Sequence, residues 1–153
     1  MRKSFLIFFI FLFLGCSNTY NINQKIPNIN LVVQQDKYSL ILKRHFIKNL
    51  NTFNPTLDKI TVKTNLSFKT HAALSNKGNN NLNIVKGKVD FKIFSTSSTE
   101  IKSGSISSSI NTGNISSLYG IDENNNFAKE RISKQLSSKL FKKILLIINS
   151  SES

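Results

Sequence analysis

Apolar and polar residues change period several times along the chain, and each change marks an element. Phe5 to Leu14 is an unbroken apolar run, about half of the roughly 20 residues that a membrane-spanning helix needs. Asn30 to Val33 is a short apolar stretch that predicts a first strand. From Gln34 to Phe53, Tyr38, Ile41, Leu42, His45, Phe46, Asn49 and Phe53 recur at helical spacing. Lys37, Lys43, Arg44 and Lys48 fall largely on the other side. This is the pattern of an amphipathic helix, stopped at Asn54-Pro55. Between Lys59 and Leu74 the period becomes two, with Ile60, Val62, Leu66 and Phe68 alternating with Thr61, Lys63, Ser67 and Lys69. A long strand with one wet and one buried face follows.

The remainder repeats the two themes. Ser75 to Asn81 is a turn centred on Gly78, and Leu82 to Phe94 returns as a second strand. Its apolar residues move from even positions (Leu82, Ile84) to odd ones (Val85, Val89, Phe91, Ile93), which predicts a bulge near Val85. After a turn at Ser95 to Thr99, the Ser-rich stretch Glu100 to Ile110 predicts a weaker strand at a sheet edge. Asn111 to Asn126 reads as a polar connection ending in Asp122 and Glu123, acids placed to meet the start of a helix. That helix runs from Phe127 to Ile148, with Ala128, Ile132, Leu136, Leu140, Ile144 and Ile147 on its apolar stripe.

The element order is therefore strand, helix, three strands, helix. Two helices with one apolar stripe each and a sheet with one apolar face pack most economically in two layers. The expected fold is α+β: a two-layer sandwich with both helices on one face of a roughly four-stranded mixed sheet. Phe68 and Leu136 should be buried at the interface, and Thr61 and Lys134 exposed.

The apolar run at the start changes the reading of the whole. Arg2 and Lys3 precede it and a small residue ends it, the layout of a secretory signal peptide. Its junction, Phe13-Leu14-Gly15-Cys16, resembles the lipobox of bacterial lipoproteins, although Phe13 stands where Leu is usual. By that resemblance cleavage falls between Gly15 and Cys16. Cys16 then carries a diacylglyceryl group on sulfur and an acyl group on its amine; no other cofactor is expected. The chain has a single cysteine, which cannot form an internal disulfide, and lipidation accounts for a lone thiol in an exported protein. Residues 1–15 are then the signal, 16–29 an acylated Cys with an Asn-rich polar tether, 30–149 one domain and 150–153 a polar tail.

Charge narrows the partners. With 21 Lys+Arg against 8 Asp+Glu the net charge is +13, a surplus that favours polyanions. Export separates the chain from nucleic acid and leaves anionic lipid or phosphorylated glycolipid. The abundance of Asn, Lys, Ile and Ser is also what an AT-rich genome would give, so drift and selection both stand as sources of the lysines. The candidate contact residues are Lys63, Lys69, Lys77, Lys86, Lys88 and Lys92, on the wet side of the paired strands and in their turn. Catalytic or metal chemistry is not expected. His45 lies on the apolar side of a helix and His71 on the polar side of a strand, neither with a ligand partner nearby. The acids are scattered, no glycine-rich phosphate loop occurs, and Gly-x-Ser-x-Gly is absent.

The layout as a whole resembles the LPS-assembly lipoprotein family LptE. The likeness in residues is carried by Lys92 to Leu146, above all by Ser103-Gly104-Ser105 and by Phe127 to Ile132 (FAKERI). The long Asn-rich tether and the scarcity of acids on the helices depart from it. The resemblance implies an outer-membrane lipoprotein on the periplasmic face. Such a protein plugs the large β-barrel LptD and assists delivery of lipopolysaccharide, without a reaction of its own. An accessory lipoprotein of another envelope transport or secretion complex, or a free-standing one that binds an anionic ligand, satisfies the same residues.

Overall fold

The computed structural model describes residues 25–74, 81–113 and 118–151. Gly15, Cys16, Lys77 and the turn at 75–80 lie outside them. The elements are β1 (Lys25–Val32), α1 (Lys37–Leu50), β2 (Asn54–Leu74), β3 (Asn81–Phe94), β4 (Glu100–Thr112) and α2 (Leu118–Ser151). The four strands form one sheet in the order β1-β2-β3-β4. β1 pairs parallel with β2, while β2–β3 and β3–β4 are antiparallel. The parallel pair needs a crossover, which α1 supplies; the antiparallel pairs need only turns.

One face of this sheet carries both helices. Val62 of β2, Val85, Val89, Phe91 and Ile93 of β3, and Ile29 and Leu31 of β1 are buried in one core with Leu42 and Phe46 of α1 and Ile132, Leu136, Leu140 and Ile144 of α2. The fold is thus the expected α+β two-layer sandwich. Gly87, in β3, shows how close the layers come. A Cβ there would lie 2.4 Å from Ile132 Cγ2 and 3.1 Å from Leu136 Cδ1, so only a residue without a side chain lets α2 settle at this height.

The helices pack on each other through a second stripe of α2 that apolarity alone did not mark. Lys129, Ser133, Ser137 and Phe141 follow at intervals of four. Phe141 meets Phe46 edge-on with centroids 5.7 Å apart, and Lys129 stands over the Tyr38 ring at 5.8 Å. Tyr38 also donates from its hydroxyl to Asn126 at 2.8 Å. These contacts match the start of α1 with the first third of α2 and its later turns with a later turn of α2, so the two helices run parallel. Ser133 and Ser137 are fully buried between them, where small side chains permit a close approach.

Asp36 is the N-cap of α1, accepting from the amides of Tyr38 and Ser39, each at 3.0 Å. Burial works against its charge, but the hydrogen bonds from Ser39 and Tyr38 outweigh it and hold the carboxyl below its ordinary value. A depressed carboxylate stabilises the fold above its unfolded pKa, and that contribution is lost as pH falls through the folded value. Asp36→Ala should cost about 1 kcal/mol at neutral pH, and the gap to the parent should close on acidification; urea unfolding at several pH values checks both.

Several details differ from those read in the sequence. β1 begins at Lys25, so Ile26, Pro27 and Ile29, assigned to the tether, are buried sheet residues; proline is tolerated on an edge strand. The strand β2 begins at Asn54, since the residues that stop α1 enter the sheet beside β1. No bulge occurs near Val85, where β3 keeps one register against β2 throughout. The irregularities fall instead at Ile93/Phe94 against β4 and at Ile26/Asn28 against β2. Helix α2 begins at Leu118, so Asp122 and Glu123 sit inside it and not before it. It also runs on to Ser151, through residues read as tail.

Candidate functional site

Among the described residues nothing covers the sheet face opposite the helices, and this face gathers most of the candidate lysines. Lys63 and Lys69 on β2 and Lys86, Lys88 and Lys92 on β3 are all exposed there. The register makes the arrangement specific: Lys63 lies directly opposite Lys92, and Lys69 directly opposite Lys86. Directly opposed like charges are unfavourable in a sheet. Alternation in the sequence places these residues on one face, but their pairing depends on the register.

The two pairs are treated differently by their surroundings. Lys92 bonds Glu100 at 3.0 Å, and that hydrogen bond holds the Glu100 carboxyl below its ordinary value. Lys63 stands over the Phe94 ring at 5.0 Å. Lys88 reaches Asp90 at 2.8 Å. By contrast, no carboxylate among the described residues pairs with Lys69 or Lys86. Continuing across the sheet, Lys86 faces Ser109 of β4 and Lys88 faces Ser107. Strands lie about 4.8 Å apart, so Lys69, Lys86 and Ser109 form a row of donors that crosses three strands within about 10 Å.

Nearer the other end of the same face is a shallow depression of about 590 Å³. Lys63, Asn65, Asp90, Lys92, Ser103 and Ser105 line it, together with Thr64, Phe91 and Gly104. Ser103-Gly104-Ser105 therefore lies at this depression. With Lys92 tied to Glu100 and Asp90 to Lys88, Lys63 is the ammonium at the depression that meets no carboxylate among the described residues. Lys69 and Lys86 are the opposed pair in which neither ammonium meets a carboxylate among the described residues.

His45 is half-buried on α1 and His71 exposed on β2. Among the described residues no three His, Cys, Asp or Glu side chains come together as metal ligands, and no helix is long and apolar enough to cross a membrane. What the face can do chemically is hold an anion with ammonium and hydroxyl donors.

No protein-family model matches the chain, and no curated protein sequence does either. Solved structures do. Rare lipoprotein B from Shewanella oneidensis superposes with a TM-score of 0.57 at 12% identity, over 85% of this chain and 100% of that one. A proposed lipoprotein from Caulobacter crescentus gives 0.57 at 12% identity, covering 80% and 91%. A minor lipoprotein from Acinetobacter baumannii gives 0.54 at 13% identity, covering 84% and 96%. The two-layer fold of this chain is thus one found among bacterial lipoproteins.

Proposed function

We propose that this chain is a lipid-anchored envelope protein without catalytic activity, and that it serves lipopolysaccharide transport beside an LptD-like β-barrel at the periplasmic face of the outer membrane. Its open sheet face receives an anion: the phosphates of lipid A, or the acidic wall of the barrel. The observation that carries this reading is the unneutralised pair Lys69–Lys86, backed by Ser109. A face meant only for solvent would gain by placing a carboxylate across from either lysine. A pair left unbalanced stores repulsion that a bound phosphate relieves through charge-assisted hydrogen bonds. The signal-like start, the Gly15-Cys16 junction, the resemblance over Lys92 to Leu146 and the fold shared with lipoproteins support the same reading.

Purification in mild detergent from native membranes tests the partner. Recovery of a large β-barrel is the expected result; an inner-membrane transporter in its place, or no partner, counts against it. The anchor has its own test. The mature N-terminus should begin at Cys16 with the mass of its lipid groups, and Cys16→Ser should abolish lipidation while leaving a folded domain. A bare Cys16, or cleavage at another bond, overturns the lipoprotein reading.

A further inference from the structure

Where β1 pairs with the start of β2, the chain does something unusual. Ile26 and Asn28 of β1 are two residues apart, yet their partners Pro55 and Lys59 are four apart. Pro27, between them, has no N–H to give to the ladder. β2 therefore carries two extra residues between these pairs, and Leu57, within that bulge, is 103% exposed. A fully exposed leucine at a sheet irregularity has no part in the core.

Leu57 has company. The end of the molecule that holds it also holds the end of α1, the start of β4 and the end of α2. Pro55 and Phe53 border a groove with Ile47 and Leu50. Thr96, in the turn before β4, bonds the Lys59 carbonyl at 2.9 Å, and Phe141 of α2 packs on Phe53 at 5.6 Å. Ile47, Ile101 and Leu146 are 41, 46 and 66% exposed. The exposed lysines Lys48, Lys59, Lys142 and Lys143 belong to the same segments. Among the described residues Asp58 and Glu100 are the acids there, and Glu100 is taken by Lys92. At the opposite end the exposed aromatics Tyr119 and Phe127 are accompanied by Glu123, with Asp122 beside it in sequence.

We propose that the Leu57 end of the domain rests on an anionic phospholipid bilayer, with Leu57 and its apolar neighbours at the acyl–headgroup boundary and the lysines on the headgroups. The chain's own connectivity argues for this occupant. Lys25 lies at that same end, paired with Asn54, and is nine residues after Cys16. Even fully extended, that segment spans only about 30 Å. A lipid on Cys16 therefore keeps this end of the sheet near the membrane, and mixed apolar and basic side chains are what an interface of anionic lipid binds. The proposal rests on the anchored reading of Cys16, and its test separates the two.

The chain has no tryptophan, so single tryptophans report without background. Leu57→Trp and Tyr119→Trp, both at exposed positions, are made in the full lipidated chain. They are reconstituted in phosphatidylethanolamine–phosphatidylglycerol vesicles carrying brominated acyl chains. Leu57→Trp should be blue-shifted and quenched severalfold more than Tyr119→Trp. Equal quenching at both positions, or none at Leu57, overturns the proposal; the second result would leave the patch to a protein partner. A chain that fails to float with the vesicles and carries a bare Cys16 refutes the anchored reading instead. Coupling its one cysteine to a maleimide lipid in the same vesicles then lets the same comparison decide the orientation.

Discussion

Leu136→Ala should lower the stability of the domain by about 2–5 kcal/mol. Leu136 is 0% exposed and packs against Gly87, whose Cβ would lie 3.1 Å from its Cδ1. Truncation there removes apolar burial and leaves a void that a sheet and a 34-residue helix cannot jointly close. For a domain of ordinary stability, roughly 5–15 kcal/mol, the loss is a large part of the whole. The reciprocal change makes the same point from the other side. Gly87→Ala should cost about 1–3 kcal/mol, because the new methyl meets Ile132 Cγ2, and a β-branched side chain in a helix has little rotamer freedom to retreat. Phe68→Ala, which the alternation of β2 ranks beside Leu136→Ala, should cost less, since Phe68 is only half-buried. Lys134→Ala should cost under roughly 0.5 kcal/mol. Urea unfolding measures all four, and similar losses for Leu136→Ala and Lys134→Ala would refute the layer assignment.

The double replacement Lys69→Gln, Lys86→Gln should act in opposite directions on binding and on stability. Lipopolysaccharide binding should fall by at least about tenfold at low salt, the loss expected when one or two charge-assisted hydrogen bonds disappear. Its salt dependence should flatten with it. Stability should rise by about 0.2–1 kcal/mol, because a directly opposed like-charge pair is removed. Replacing Lys88 and Lys92 should change binding little and leave stability within about 0.5 kcal/mol of the parent, because the loss of the contacts to Asp90 and Glu100 is offset by relief of the repulsion between Lys92 and Lys63. Titration of the purified domain with lipopolysaccharide, beside thermal unfolding, checks both. If binding is absent, or survives the Lys69/Lys86 change intact, the open face is a solvated surface and any partner meets the protein elsewhere.

The contrast between these lysine pairs locates the limit of what the chain's pattern can tell. Alternation assigns Lys63, Lys69, Lys86, Lys88 and Lys92 to one face, because strand residues have a period of two. Which lysine opposes which depends on register, and register depends on a turn whose geometry no periodicity encodes. Gly87 interrupts the apolar series of β3, and Ile84 sits on the other face. Together they look like a change of phase, although the strand is regular there. The start of α2 is hidden by Gly120 and the run Asn124-Asn125-Asn126, all poor helix formers. Tertiary contacts, among them the bond from Tyr38 to Asn126, hold that segment helical. Ser133 and Ser137 escape for the opposite reason: they are polar in composition yet buried, chosen for size at a helix–helix contact. The six elements and the two-layer packing were legible because they rest on apolar periodicity, which the core obeys almost without exception.

The length of β2 sets a reach. Its 21 residues, Asn54–Leu74, carry the chain from the bulge at Leu57 past Lys63 and Lys69 without leaving the sheet. At about 3.3 Å per residue, Lys69 stands some 35–40 Å along the strand from Leu57. Headgroups occupy only the outer 5–8 Å or so of each leaflet. With the bilayer at the Leu57 end, a phosphate held by Lys69 and Lys86 lies far beyond that layer. The row of donors can then engage only a lipid already lifted out of its leaflet, or a protein surface standing well clear of the membrane. On the proposed placement the strand is a ruler that separates the end resting on the bilayer from the row of donors.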